Sequence, residues 1–314
     1  GQLQLIVIRF LPMWRQRNVY LVTALHVHYP YYIEAMMKMD NYNYFDFDYL
    51  AWKDGIVSID PQDKFTLKVM NVKKSSKHSI ALKNDKMHNI KAVKYLDNGN
   101  MIVCGAYLGS EEKHEEGVFK AVVNLATNKL VSYYRQEMTK ITKHNYPRVS
   151  DSFISDNGDV YLLSCFTLRG TGKNYAVYFI SDKGALWNKH LPIPIQLVTE
   201  GGFLQTIKQR VFLKDDKLCF LYNDTKKSKE FDANSYPMGE KIGGINLRKA
   251  PGIISMLKID KKGTVQRKTF RINSEEFIVG FSSSDDYNLY SPSRKVDGLT
   301  YSKSRLIKFD FSNF

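Results

Sequence analysis

The sequence lacks the features that identify several large classes of protein. Three of its 314 residues are cysteine, too few for a disulfide-rich scaffold. No segment approaches the ~18 consecutive apolar residues of a membrane-spanning helix. The patterns GxSxG, HExxH, GxxxxGK(S/T) and a GxGxxG that follows a strand are also missing. These patterns are the usual sequence markers of hydrolases, zinc proteases and nucleotide-binding enzymes.

The three cysteines do not form a recognisable metal or redox motif. Cys104, Cys165 and Cys219 lie in the apolar runs MIVCGAY, LLSCFT and KLCFLY, without CxxC or Cys/His spacing. We predict buried thiols that behave as small hydrophobic side chains, and neither a metal nor a cofactor.

A formal net charge of +14 is compatible with nucleic-acid binding, but the distribution of the charge is not. Nucleic-acid-binding proteins gather basic residues on one face or in one arm. Here they spread through the chain, and many occupy turns or alternate with apolar residues, as Lys258, Lys261, Lys262, Arg267 and Lys268 do. That pattern is typical of a solvated outer surface, so we predict no nucleic-acid partner.

What the sequence does contain is a repeat. Five times an apolar strand is followed by a short turn with Asp or Asn and then by a second strand. The turn residues are Asp60, Asn124, Asp182, Asp260 and Asp310. Three copies are preceded by a second hairpin-like phrase, as in VKYLDNGNMIVCGAYL, with turns that begin at Asp97, Asp156 and Asp215. Asp-Asn-Gly between apolar runs favours a tight hairpin, because Asn and Gly accept positive φ angles.

Two successive hairpins make a unit of four antiparallel strands. In residues 91–136 the pattern predicts strands near 92–96, 100–108, 117–125 and 129–135. Repeated four-stranded units indicate an all-β β-propeller with one blade per unit. We predict inter-blade packing through the alternating apolar residues Val103, Leu162, Phe220 and Leu257.

We expect five blades in a single domain that spans 1–314. The last unit ends after its third strand, whereas Leu3–Phe10 (LQLIVIRF) has no partner of its own. Because ring closure limits exposed strand edges, we predict that this segment supplies the last blade's outer strand. The predicted units are the closing strand 1–10 and the blades 11–75, 76–140, 141–195, 196–273 and 274–314. The alternatives are six or more blades, or a fragment in which Leu3–Phe10 belongs to another blade.

Residues 11–54 give the least regular pattern. VYLVTALHVHY and MDNYNYFDFDYLAW alternate as strands do, while Tyr31–Met39 also suits one or two helical turns after Pro30. We favour strands. The oxygen-bearing side chains between Asp40 and Asp48 alternate with aromatic residues, which fits a strand better than a calcium loop.

Five phrases follow one another between residues 90 and 306, namely DNGNMIVCGAYLG, GVFKAVVNLATNKLVS, ALWNKHLPIPIQ, KLCFLYND and IISMLKIDKKGTVQRKTF. In their order and spacing they resemble a family of uncharacterised, exported β-propeller proteins of Bacteroidota. The resemblance implies a propeller in the periplasm, at the cell surface or secreted. It implies no activity, so no catalytic residues are carried over. A chain that begins at Gly1 without a leader is expected for such an exported product after processing.

The irregular loops carry the candidate binding residues. Loops between the second and third strands and between blades gather at one end of a propeller channel. The basic and tyrosine residues in these loops are Tyr146, Arg148, Arg169, Lys173, Tyr236 and Arg248. Such a rim suits an acidic glycan, a nucleotide or an acidic protein surface. The alternative is that they are merely polar, exposed loop residues.

The preferred function is therefore a non-enzymatic binding or assembly module of the bacterial cell envelope, whose partner is another envelope protein or an acidic glycan. The alternative is a propeller glycoside hydrolase or polysaccharide lyase that acts on acidic glycan. Most aspartates are explained by the geometry of hairpin turns, which leaves no catalytic residue to name.

Overall fold

The structure, a computed structural model, is a series of short antiparallel sheets that follow one another along the chain. It describes residues 18–21, 37–40, 49–52, 54–60, 63, 65–71, 74–82, 86–108, 116–138, 148–168, 172–194, 196–200, 203–207, 210–236, 245–247, 250–274, 276–278, 283–284, 288–297 and 300–310. Within these ranges the only α-helix is the short α1 (Lys226–Glu230), so the predicted all-β class is confirmed. Leu3–Phe10 lies outside the described residues.

Five sheets contain four strands each. Sheet 1 consists of β3 (Tyr49–Trp52), β4 (Gly55–Ile59), β5 (Thr66–Asn71) and β6 (Ser76–Ala81). Sheet 2 consists of β7 (Lys86–Tyr95), β8 (Asn100–Leu108), β9 (Glu116–Asn124) and β10 (Lys129–Glu137). Sheet 3 consists of β11 (Arg148–Ile154), β12 (Val160–Leu168), β13 (Gly172–Ile180) and β14 (Leu186–Leu191). In sheets 1 to 3 each strand pairs with the next along the chain.

Sheets 4 and 5 depart from this order. Sheet 4 consists of β17 (Arg210–Lys214), β18 (Lys217–Asn223), β20 (Ile253–Ile259) and β21 (Val265–Arg271). Sheet 5 consists of β22 (Glu276–Ile278), β23 (Ser283–Ser284), β24 (Asn288–Asp297) and β25 (Thr300–Asp310). Both β22 and β23 pair with β24, which also pairs with β25. Sheet 5 is therefore three strands across.

Two smaller sheets complete the described strands. One pairs β1 (Asn18–Leu21) with β2 (Met37–Asp40). The other contains β15 (Gln196–Glu200), β16 (Phe203–Ile207) and β19 (Ile245–Asn246), with β19 parallel to β15. The strand β2 includes residues 37–39, the end of the segment Tyr31–Met39 for which helical turns were the alternative.

The predicted hairpins are present. In sheet 2 the strands lie within two residues of the predicted bounds, except that β7 starts earlier, at Lys86. Gly99 and Gly158 adopt positive φ angles of 82° and 89° in the turns that close the first hairpins of sheets 2 and 3. The Asp260 carboxylate accepts hydrogen bonds from the amides of Lys262 and Thr264, both at 2.9 Å. This aspartate shapes its turn, as the sequence predicts.

One of the unit boundaries assigned from the sequence, at residue 75, falls within a sheet. The first unit was bounded at residue 75, yet Ser76–Ala81 pairs with Thr66–Asn71 in sheet 1, and sheet 2 begins at Lys86. The turn at Ser75, where φ is 50°, therefore joins two strands of one sheet.

Neighbouring sheets pack face to face in chain order. Val103 of sheet 2 lies in a core with Val57 and Val69 of sheet 1. Leu162 of sheet 3 packs against the opposite face of sheet 2, and Phe220 of sheet 4 packs against the far face of sheet 3.

A fourth core continues the series. Leu221 and Met256 of sheet 4 pack with Phe309 of sheet 5. Leu257, on the opposite face of sheet 4, lies in the core shared with sheet 3. All four residues predicted to pack between blades are thus confirmed in cores between neighbouring sheets.

The first strands of sheets 1 to 3 lie side by side. The strand β7 contacts both β3 and β11, while the outer strands of the same sheets approach each other less closely. These three sheets therefore converge at their first strands, and we call the side of each sheet that carries its first strand the inner edge.

Outer strands also touch the hairpin turn of the next sheet. His78 Nδ1 on β6 lies 2.6 Å from Asn128 Oδ1, in the last turn of sheet 2. On β10, the Tyr134 ring covers Gly184, where an added Cβ would lie 2.2 Å from a ring carbon. On β14, Trp187 donates its indole N–H to the Lys261 carbonyl at 2.9 Å. One kind of contact recurs at three successive sheet boundaries.

The prediction of buried thiols holds for the two cysteines whose side chains are described. Cys104 and Cys219 are free and buried. Burial raises the pKa of each thiol to about 12, so neither is a thiolate near neutral pH. Cys165 lies on β12.

Candidate binding site at the inner edge of the sheets

Half of the six predicted rim residues lie outside the described part of the chain. Tyr146, Arg169 and Arg248 are not among the described residues. Arg148 is the first residue of β11, and Lys173 is the second residue of β13. They occupy strands rather than free loops.

Tyr236, the remaining rim candidate, is buried rather than displayed. Its side chain is 7% exposed, and its ring meets that of Phe231 edge-on with centroids 5.3 Å apart. An aromatic ring in this position stabilises the loop and offers little surface to a ligand.

The loop that contains Tyr236 covers the outer edge of sheet 4. The Asn234 side chain both donates to the Val265 carbonyl at 2.9 Å and accepts from the Val265 amide at 2.7 Å, as a paired strand would. Arg267, also on β21, donates a side-chain hydrogen bond to the carbonyl of Ser228 in α1 at 2.9 Å. The segment therefore occupies hydrogen-bonding groups of β21 that would otherwise form an exposed edge.

A serine–aspartate pair beneath this loop resembles catalytic machinery in composition only. Ser255 donates a short hydrogen bond to Asp224, which also accepts from the Thr225 amide at 2.7 Å. Ser255 and Asp224 are both fully buried, so no substrate reaches the serine hydroxyl. The pair holds the loop to sheet 4.

A buried cation joins sheets 2 and 3. Lys120 on β9 is 1% exposed, and its Nζ donates to the carbonyls of Gly158 at 2.7 Å and Ser181 at 2.8 Å. Burial lowers the pKa of Lys120, while the charges of Asp159 and Asp182 oppose that shift. The lysine acts as a structural tie between two sheets.

Lys94 makes the equivalent contact at the surface. Its Nζ donates to the Ser155 carbonyl at 2.8 Å and to Asp156 Oδ1 at 2.7 Å, in the first hairpin turn of sheet 3. The charge and hydrogen bond of Lys94 lower the pKa of the Asp156 carboxyl. This pair is open to solvent and is therefore weaker than the buried tie.

The inner edge carries a repeated irregularity. In β7 the register with β8 shifts between Ile90 and Ala92, so Lys91 is an extra, bulged residue. In β11 the register with β12 shifts between Val149 and Asp151, so Ser150 is the bulged residue.

Both bulges occur at the same level of their sheets. In each sheet the bulge follows the fourth residue pair counted from a hairpin turn of the same length. β-bulges are over-represented beside binding and active sites, because the extra residue re-aims neighbouring side chains.

Three charged residues occupy corresponding positions on the first strands of sheets 2, 3 and 4. They are Lys91, Asp151 and Arg210, which we call the inner-edge cluster. Asp151 pairs with Leu163 and Arg210 with Leu221, and these two partners occupy matching places in sheets 3 and 4. Asp151 is exposed, whereas Lys91 and Arg210 are half-buried.

The polar groups of these three side chains are not engaged by other described residues. Within the described residues, none of the three forms a hydrogen bond or ion pair through its side chain. The Nε atom of Arg210 is buried without an acceptor. Asp151 lies on the face of β11 that packs toward sheet 4, as Phe153 does, whereas Arg210 lies with Phe212 on the face of β17 that packs toward sheet 5.

Sequence analysis did not single out this cluster. The signal was available, because counting back from DNGN, DNGD and DDK places Ala92, Asp151 and Arg210 at one level. The bulge that sets Lys91 at that level has no sequence marker.

Comparisons with known proteins assign no family. Neither a family model nor a curated protein matches the chain. Among solved structures, a Glu150Gln mutant of the Synechocystis apocarotenoid oxygenase aligns with TM-score 0.38 and 11% identity over 85% of this chain. The chain spans 57% of that oxygenase.

Two further structures are similarly distant. A subtype N11 neuraminidase-like protein of A/flat-faced bat/Peru aligns with TM-score 0.37 and 8% identity, covering 95% of this chain and 80% of the other. A protein of unknown function from Dyadobacter fermentans aligns with TM-score 0.37 and 10% identity, covering 85% and 76%. Neither likeness assigns a ligand or a reaction to this chain.

The described residues contain no helix of the length and apolar character that crossing a membrane requires.

Proposed function

We propose that the chain forms a five-bladed β-propeller that serves as a binding or assembly module of the bacterial cell envelope. One observation carries the proposal: sheets 1 to 5 stack face to face in chain order, and the first strands of sheets 1 to 3 lie together. Four-stranded antiparallel sheets repeated in this manner are the blades of a propeller. The first strands then line its channel.

The ring closes through the N-terminal segment. Sheet 5 is three strands across, and within the described residues β25 pairs on one side only, with β24. Leu3–Phe10 is long enough to pair with most of Thr300–Asp310 and is apolar enough to join a sheet. It supplies the fourth strand of the last blade.

Cysteine scanning tests the closing strand. Leu306 on β25 is 66% exposed, and directly opposed residues of antiparallel strands bring their Cβ atoms to about 4.5–5.5 Å. In a variant free of native cysteines, Leu306→Cys is combined with one cysteine at a time at positions 3–10. Oxidation is expected to cross-link alternate positions most strongly, because side chains alternate between faces. Cross-linking at no position, or equally at all, overturns the closure.

Binding rather than catalysis is the role we assign to the ring. Asp60, Asp156 and Asp260 lie in hairpin turns, and the one serine–carboxylate pair described above is sealed from solvent. The direct test is turnover of polygalacturonate, hyaluronan and neutral polysaccharides by the purified protein. No turnover is expected. Cleavage that Asp151→Asn abolishes would replace the binding role with that of a glycoside hydrolase or polysaccharide lyase.

The envelope setting follows from the resemblance to exported Bacteroidota propellers described above. Fractionation of cells that produce the native protein tests it. We expect recovery from the periplasm, the cell surface or the medium. Recovery from the cytoplasm alone would contradict the setting and leave the propeller proposal standing.

A further inference from the structure

We propose that the outer edge of β21, from Arg267 to Arg271, binds an acidic, extended segment of a partner protein as an added strand. Such a segment supplies the partner of the binding or assembly module, so the proposal rests on the proposed function. The contact lies on the outer edge of sheet 4 rather than on the predicted loop rim.

The backbone of β21 presents hydrogen-bonding groups on its outer side. The Asn234 side chain bonds to both the amide and the carbonyl of Val265, so these two groups point away from β20. Backbone groups of an antiparallel strand point to its two sides at alternate residues, and Arg267, Thr269 and Arg271 therefore point outward as well. Among the described residues, none bonds to the backbone amides of these three. An extended chain can pair with them.

The backbone of this edge is also regular. The register of β21 with β20 is unbroken from Val265 to Arg271. By contrast, the outer strand β10 contains a register shift between Leu130 and Ser132. Because a bulge interrupts the row of outward groups, it discourages the addition of a strand. The edge of β21 is a suitable template for one.

The charge of β21 favours an acidic occupant. The strand carries Arg267, Lys268 and Arg271 and no acidic residue. Among the outer strands of sheets 1 to 3, β6 and β14 contain one lysine each, and β10 contains two cations and Glu137. Like charges on directly opposed strands repel, which opposes pairing of β21 with a second copy of itself. Opposite charges attract, so an acidic strand complements this edge.

Two further cations lie close to the edge, on α1. The Ser228 carbonyl in this helix accepts a hydrogen bond from Arg267 Nη1 at 2.9 Å, which holds the helix beside β21. Lys226 and Lys227 of the same helix are exposed. The basic surface therefore extends from the strand onto the loop that contains Tyr236, and its field attracts acidic side chains of an incoming segment.

A proline substitution tests the added strand. The probe is a fluorescently labelled synthetic peptide of alternating glutamate and valine, with its affinity measured by anisotropy. Thr269→Pro removes one outward N–H and leaves the ladder with β20 intact, because that N–H points away from β20. It is expected to weaken peptide binding at least about tenfold. Thr269→Ala is the matched control, since it also removes the hydroxyl but keeps the amide, and its affinity is expected to stay within about twofold.

A pair of charge variants tests the selection of an acidic partner. Lys268→Gln combined with Arg271→Gln is expected to weaken peptide binding about fivefold or more at low salt, and less at high salt. Lys129→Gln combined with Lys183→Gln removes the same charge from exposed positions of sheets 2 and 3. This control is expected to leave the affinity within about twofold.

Hydrogen exchange resolves the contact residue by residue. The bound peptide is expected to slow exchange at the outward amides of Arg267, Thr269 and Arg271, and to leave exchange at Lys268 and Phe270 unchanged, since these amides face β20. The proposal is overturned if the peptide does not bind, if the alternating pattern is missing, or if Thr269→Pro binds as well as Thr269→Ala. Thermal unfolding verifies that each variant is folded, and hydrogen exchange decides the question even where Thr269→Pro is not.

Polygalacturonate is the competing ligand class. If it binds as tightly as the peptide, and the charge variant weakens it while Thr269→Pro does not, the edge is a site for acidic glycan and the added strand is excluded. Cysteine scanning of the closing strand reads the ring separately. Sheet 4 contains the edge of β21 whether or not the ring closes, so either proposal can fail alone.

Discussion

Replacement of Lys120 by methionine tests how strongly hydrogen bonds from a buried cation tie sheet 2 to sheet 3. Methionine keeps most of the aliphatic volume and removes the ammonium group. The Ser181 carbonyl retains a 3.2 Å hydrogen bond from the Gly184 amide, whereas the Gly158 carbonyl loses the donor that lies 2.7 Å away. Asp159, which is 2% exposed, also loses a nearby positive charge.

The expected cost follows from these groups. A buried acceptor left without a donor costs about 1–3 kcal/mol, and a hydrogen bond from a charged donor is worth about 1.5–3 kcal/mol. Relief of the buried charge's desolvation offsets part of the loss. We therefore expect Lys120→Met to lower the free energy of unfolding by about 2–3 kcal/mol.

Lys94→Met is the control, because Lys94 makes the same kind of contact to the same sheet in solvent. Its partner Asp156 is fully exposed and the pair is screened by water, so the expected loss is much smaller than that of Lys120→Met. Urea unfolding at pH 7, monitored by circular dichroism, measures both values. A Lys120→Met protein as stable as the unmodified one, or an equal loss in Lys94→Met, would refute the reasoning.

Three further predictions concern buried groups and turns. Burial lowers the pKa of His190 below its ordinary 6.5, so the unfolded chain binds the proton more readily than the folded protein does. The free energy of unfolding should therefore fall as the pH drops through 6.5. Urea unfolding between pH 7.5 and 5 should show a less steep fall in His190→Gln. Gly184→Ala should cost more than Gly263→Ala in thermal unfolding, because the added Cβ would lie 2.2 Å from Tyr134 in the first case and 3.4 Å from Trp187 in the second, with positive φ in both. Cys104 and Cys219 should resist iodoacetamide at pH 8 until the protein unfolds, as peptide mapping would show; rapid labelling of the folded protein would contradict their burial.

The sequence predicts most where local and tertiary preferences agree. The DNG turns place the strands of sheet 2 nearly correctly, since Gly99 supplies the positive φ that the turn needs. The apolar runs on β8 and β12 identify Val103 and Leu162 as core residues, because neighbouring sheets cover both faces of sheets 2 and 3.

Prediction fails where tertiary contacts override the local pattern. Lysines on strands were taken to mark a solvated face, yet Lys120 is buried because the hairpin turns of sheet 3 offer two carbonyls at its end. Tyr236 was placed on an exposed rim, yet the loop folds back along β21 and encloses its ring. Neither outcome can be derived from residue spacing, because each depends on groups far away in the sequence.

The same distinction separates the aspartates that shape turns from Asp151. Asp60, Asp156 and Asp260 carry hydrogen bonds or ion pairs that shape a turn or join two sheets. Asp151 sits within a strand, next to a bulge, and is exposed without such a role. Acid–base hydrolysis of a glycoside would require a second carboxylate about 5–10 Å away. Burial removes Asp159 and Asp224 from such a role, since their side chains are 2% and 0% exposed. The exposed Asp151 is therefore the carboxylate on which the test for hydrolysis belongs.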